Sequence, residues 1–172
     1  GKFLVMISVK LRLPVEYLIR VSVFDQFCAG LDERDSLKIV NLLATKKVKS
    51  YLHYSVERAS FEKDFDNCLA STIKTLEVSE KNSSLQFSVF KPTGYGSSIL
   101  IEKKSNNIAF TKDESKAWER IIERFRITFN KAKSVGLCVF VDAEKSWIQP
   151  AIDGIVEKMM LDFNKEKAIV FD

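Results

Sequence analysis

Four short apolar runs, separated by longer stretches with helical periodicity, constrain this chain more than any other feature. The runs are Val48–Tyr54, Leu85–Phe90, Leu137–Val141 and Ala168–Phe171. Each is too short for a buried helix and has the length of a strand. Between them lie three stretches whose apolar residues recur every three or four positions. Phe61, Phe65, Cys68, Leu69, Ile73 and Leu76 mark one helix, with Ser60 placed to cap it. Residues 112–134 form the longest, with Trp118, Ile121, Ile122, Phe125, Phe129 and Ala132 inward. The capping-box pattern Thr111–Glu114 opens this helix and Gly136 closes it. Pro150 starts a third, over about 150–163. A further helix precedes the first strand, over 33–46, with Asp32 as its cap. Strands that alternate with amphipathic helices imply parallel pairing through right-handed crossovers. The expectation is an α/β fold whose short strands, LCVFV above all, are buried on both faces.

Residues 1–31 read as a helical leader, broken at Pro14, and residues 32–172 as the main α/β domain. Charged residues interrupt the apolar leader, so it does not read as a spanning helix or a clean signal peptide. The net charge of +4 comes from scattered residues, with no basic stripe interleaved with aromatics. Nucleic acid is therefore not an expected partner. One histidine excludes a multi-histidine metal site, and no calcium-loop pattern is present. Three widely spaced cysteines, Cys28, Cys68 and Cys138, read as buried free thiols.

In parallel α/β folds the working residues gather at the C-terminal ends of the strands. Here those ends carry His53, Tyr54, Ser55 and Glu57; Lys91 and Thr93; Asp142 and Glu144; and Asp172. One basic and several acidic groups thus point to one face. Each has a plainer reading. Lys91 can be a surface lysine, Asp142 a cap for the next helix, and His53 a satisfied structural residue. Tyr95 and Trp147 read as packing residues. The Gly94–Tyr95–Gly96 turn has no phosphate-binding pattern.

The stretch Val141-Asp-Ala-Glu-Lys-Ser-Trp-Ile-Gln-Pro-Ala-Ile152 resembles a segment of the proline dehydrogenase family, in which VDAE precedes a QPAI-like helix start. Glu157-Lys-Met-Met160 and Phe163–Phe171 continue the resemblance. Phe90-Lys91-Pro-Thr-Gly-Tyr-Gly96 is similar to the family's strand ending in Lys. Leu52-His-Tyr-Ser-Val-Glu57 is similar to its LDYSVE-type strand, with His53 where the family usually has Asp. Phe24–Gly30 resembles its leader motif.

The resemblance implies a (β/α)8 TIM-like barrel that binds FAD and oxidises L-proline to Δ1-pyrroline-5-carboxylate by hydride transfer. It implies electrons passed to a membrane quinone, and a cytoplasmic enzyme in peripheral contact with the inner membrane. Lys91 would hold the proline carboxylate, Asp142 would sit beside the flavin and the substrate, and His53 would lie on the substrate face. Such a barrel takes eight strands in about 250 residues. Four are legible here, so the expectation is about the first half of the barrel, in a chain inactive by itself. Two other functions fit the residues. One is a lyase or aldolase forming a Schiff base at Lys91; the other is a non-catalytic barrel remnant or interaction module.

Overall fold

The computed structural model describes residues 28–30, 33–53 and 59–172. Nearly all of the expected leader, the Asp32 cap, and strand-end residues Tyr54, Ser55 and Glu57 lie outside these residues. The chain divides into two compact units, Gly1–Val48 and Lys49–Asp172.

In the first unit, helix α1 covers Glu33–Thr45. Val40 is buried, whereas Ile39, Leu42 and Leu43 remain exposed. The helix closes through Lys47, at φ 61°, and the Val48 N–H donates to the Leu43 carbonyl. That bond commits Val48 to the end of the helix, so the strand expected from Val48 begins two residues later.

The second unit alternates strand and helix. Its elements are β1 (Ser50–Leu52), α2 (Glu62–Glu80), β2 (Leu85–Phe90) and a 3₁₀ turn at Pro92–Gly94. They continue with α3 (Ser98–Ser105), α4 (Lys112–Val135), β3 (Cys138–Val141), α5 (Gln149–Phe163) and β4 (Val170–Phe171). The four strands form one parallel sheet in the order β1-β2-β3-β4. Sequential order with a helix in every connection is the winding of a (β/α) barrel.

One face of the sheet carries the core. Phe90, Val139, Val141 and Val170 are buried there with Leu76, Ile121, Phe125, Phe129, Ile152 and Val156 of the helices. Phe90, Tyr95, Phe125 and Phe129 stack edge and face, with ring centroids 4.4–6.2 Å apart. The other face is half-exposed. Tyr51, Phe87, Phe140 and Phe171, one from each strand, form a row with centroids 4.8–5.1 Å apart. The expectation that β3 is buried on both faces is thus corrected: its exposure alternates residue by residue.

The helices explain their own deviations. Ser60 does not cap α2; instead the Asp64 carboxylate accepts from the Ser60 and Phe61 N–H groups, and Phe61 stays 74% exposed. The helix runs past Leu76 to Glu80; its buried face includes the polar residues Thr72 and Thr75 and, beyond Leu76, continues in Ser79. Thr75 Oγ1 lies 3.0 Å from Ser88 Oγ on β2, so small hydroxyls replace aliphatics where helix and sheet approach closely. Helix α4 has the expected capping box at Thr111 and Glu114, and Gly136 ends it at φ 71°. Trp118 and Ile122 pack on the margin of the core and not within it. Arg124 and Thr128 are buried among the α4 apolar residues. The Arg124 guanidinium donates to the Tyr95 carbonyl, Asp66 and Glu62. Helix α3 escapes periodicity analysis because its eight residues are shorter than the window that reveals a repeat. Of the three cysteines only Cys68 is buried; Cys28 is exposed and Cys138 half-buried.

Candidate active site at the strand ends

The register of β2 and β3 sets the site. Phe87 pairs with Cys138 and Phe90 with Val141. One residue further, the Asp142 N–H donates to the Phe90 carbonyl at 3.0 Å, carrying the ladder past the end of β3. Successive side chains alternate between faces. Lys91 therefore follows Phe87 and Val89, and Asp142 follows Phe140, onto the half-exposed aromatic face. Their charged ends meet, with Lys91 Nζ 3.8 Å from Asp142 Oδ2, and both side chains remain half-exposed. Such an exposed pair adds only about 0–1 kcal/mol to stability. It leaves an ammonium and a carboxylate available at one mouth.

Glu144 stands two residues beyond Asp142, as Thr93 stands two beyond Lys91. Glu144 Oε1 accepts from Thr93 Oγ1 at 2.5 Å and from the Thr93 N–H at 3.3 Å. The Glu144 N–H donates to Gln149 Oε1, and Gln149 Nε2 donates to Asp153 Oδ1, each at 2.7 Å. Sequence reasoning missed Gln149 and Asp153. Their i,i+4 spacing on one helix face was the available signal. Asp142 does not cap α5, whose N-cap is Ile148 with no side-chain hydrogen bond.

His53 is half-buried just past β1. Burial pushes its pKa below the ordinary imidazole value of 6.5; the Asp142 charge opposes that shift and the Lys91 charge adds to it. The ring thus feels both members of the pair. At the end of β4, burial and then the Asp153 charge raise the Asp172 carboxyl above its usual range. Tyr95 is fully buried, as expected of a packing residue, and burial pushes its phenol well up. Trp147, expected to pack, is instead 54% exposed, with Lys145 Nζ 5.4 Å from its ring. A groove of about 760 Å³ lies elsewhere, between α3, α4 and α5, and is lined by Trp118, Ile122, Ile155 and Lys158. It contains none of the strand-end charges. Among the described residues, no group of three or more His, Cys, Asp or Glu could hold a metal ion.

A sequentially wound parallel sheet with a helix in every connection defines the class: a chain of the (β/α)-barrel type. The chain belongs to the proline dehydrogenase family, whose model matches residues 36–171. It is 38% identical over 128 residues to the carbapenem antibiotics biosynthesis protein CarD of Pectobacterium carotovorum subsp. carotovorum, covering 74% of this chain and 34% of that protein. It is 24% identical to the mitochondrial proline dehydrogenase 1 of Dictyostelium discoideum, over 94% of this chain and 35% of that one. The fold resembles Proline Utilization A (PutA) from Corynebacterium freiburgense with a TM-score of 0.63 and 15% identity, covering 84% of this chain and 14% of PutA. The chain thus spans about a third of the length of the two relatives. The family assignment does not favour the lyase or the interaction-module reading.

Proposed function

We propose that these strand ends contribute to an FAD-dependent site that oxidises L-proline to Δ1-pyrroline-5-carboxylate. The observation that carries the reading is the meeting of Lys91 and Asp142 at one mouth in a chain of this family. Lys91 binds the proline carboxylate. An ammonium suits this role, being a compact charge with three donors and no fixed plane. Asp142, 3.8 Å away, orients that ammonium and offers an acceptor to the substrate amine. His53, half-buried past β1 and within electrostatic reach of both groups, borders the same face.

The residues fit the ring end of a flavin. The half-exposed rings of Phe87 and Phe140, set edge to face at 61°, lie on the face that Lys91 and Asp142 share, and they offer an apolar surface beside a charged edge. Among the described strand-end residues Lys91 alone is cationic, so the fit concerns the ring system and not the phosphates. Asp142 and this aromatic face would hold it. FAD, when bound, supplies the hydride acceptor; the protein supplies orientation and electrostatics.

The family resemblance supports a membrane quinone as the final electron acceptor, reached from the cytoplasm through peripheral contact with the inner membrane. No described helix is long and apolar enough to cross a membrane. Anaerobic titration with L-proline of the protein reconstituted with FAD tests the oxidation. Flavin absorbance is expected to bleach. Unchanged absorbance at saturating proline would reject the reading.

A further inference from the structure

The contact between Thr93 and Glu144 has a geometry that the proposed reaction does not use directly. Lys91 is the residue before the 3₁₀ turn at Pro92–Gly94. Proline has no N–H, so the Thr93 N–H is the first donor that this turn presents. Glu144 takes both that N–H and the Thr93 hydroxyl on one carboxylate oxygen. A carboxylate receiving an N–H and an O–H makes charge-assisted bonds, stronger than neutral ones. Glu144 is itself tied back to α5, because its own N–H donates to Gln149, which in turn bonds Asp153. The loops after β2 and β3 are thereby joined at a second point beyond the Asp142–Phe90 bond. Lys91 lies between the two joints.

We propose that Glu144 is a positioning residue: by clamping Thr93, it fixes the turn that carries Lys91 and so holds the ammonium opposite Asp142. Glu144 touches neither ammonium nor substrate in this role. A four-carbon lysine stem is flexible, and the reach of its charge depends on where its backbone is held. Displacement of a binding group by about 1 Å can cost about a hundredfold. The clamp thus acts on proline affinity through Lys91, and this part rests on the proposed proline site.

The test uses the whole protein with FAD and three variants, Thr93→Val, Glu144→Ala and Thr93→Ser. Valine keeps the volume and β-branching of threonine but cannot donate; serine restores the hydroxyl. Thr93→Val and Glu144→Ala are expected to raise KM for proline about ten- to a hundredfold, with kcat changed less than about threefold, as loss of uniform binding requires. Thr93→Ser should remain within about twofold of the parent. Amide hydrogen exchange reads the clamp without substrate. In the first two variants the Gly94 N–H, bonded to the Lys91 carbonyl, and the Asp142 N–H should exchange at least about tenfold faster. Unchanged protection at both amides would overturn the clamp, whether or not the parent oxidises proline. Faster exchange with KM unmoved would overturn its positioning role. A parent that does not oxidise proline rejects the substrate reading alone, and the exchange result then decides the clamp.

Discussion

Lys91 Nζ and Asp142 Oδ2 lie 3.8 Å apart because the β2–β3 ladder continues one hydrogen bond past the end of β3. The pair is too exposed to contribute much to the fold and is placed by backbone register and not by its own attraction. Stability and function should therefore separate in variants of these two residues.

Lys91→Met should leave the unfolding free energy within about 1 kcal/mol of the parent. The same variant should weaken proline binding about ten- to a hundredfold, the loss of a hydrogen bond to a charged group being worth about 1.5–3 kcal/mol. Urea unfolding and proline titration of the flavin, on one preparation, check both halves.

The titration of His53 reports the neighbourhood of the pair. Asp142 raises its pKa and Lys91 lowers it. Asp142→Asn should move the His53 midpoint down, and Lys91→Met should move it up. Burial lowers the folded-state pKa below 6.5, so the unfolded chain binds the proton more readily. The stability linked to this shift is present above 6.5 and is lost as pH falls from 6.5 through the lower folded-state value. Proton NMR of the single histidine follows both variants. Equal midpoints in all three proteins would place His53 away from the pair.

Glu62 gives a second pH signature. Its hydrogen bond to Arg120, supported by Arg124, lowers its carboxyl from 4.5 to about 2. A depressed folded pKa stabilises above the unfolded value, and that contribution disappears as pH falls from about 4.5 to about 2. Glu62→Gln should flatten the acid limb of a stability–pH curve over that window. Glu62 is half-exposed, so solvent screens the effect.

Arg124 is a structural charge. It is 5% exposed and joins the Tyr95 carbonyl to Asp66 and Glu62 of α2. Arg124→Met keeps much of the side-chain volume but strands the carbonyl, which should cost about 1–3 kcal/mol. Urea midpoints measure the loss.

Gly96 faces Ile121 so closely that an added Cβ would overlap its side chain. Gly96→Ala should destabilise by about 1–3 kcal/mol through overpacking. Ile121→Ala removes both overlapping atoms, Cδ1 and Cγ1, so the double variant should be more stable than the sum of the two single losses predicts. Independent, additive effects in the double variant would show that the two residues do not touch.

The sequence by itself determined the order of the four strands and of the helices other than α3, the capping box at Thr111 and Glu114, and the αL end at Gly136. These depend on local spacing and on single residues with strong backbone preferences. It also marked Lys91, Thr93, Asp142 and Glu144 as strand-end residues, since an apolar run followed by a charge is visible in one dimension. Only the tertiary structure decided which of them meet. The parallel register puts residues 91 and 142 opposite each other, although they lie 51 positions apart in the chain (142 − 91), and no local pattern encodes that offset. Packing also decided that α2 buries Thr72, Thr75 and Ser79, and that Arg124 enters the core. Thr75 meets Ser88 of β2, and Arg124 meets the Tyr95 carbonyl, Asp66 and Glu62, partners that come within reach only once the chain has folded.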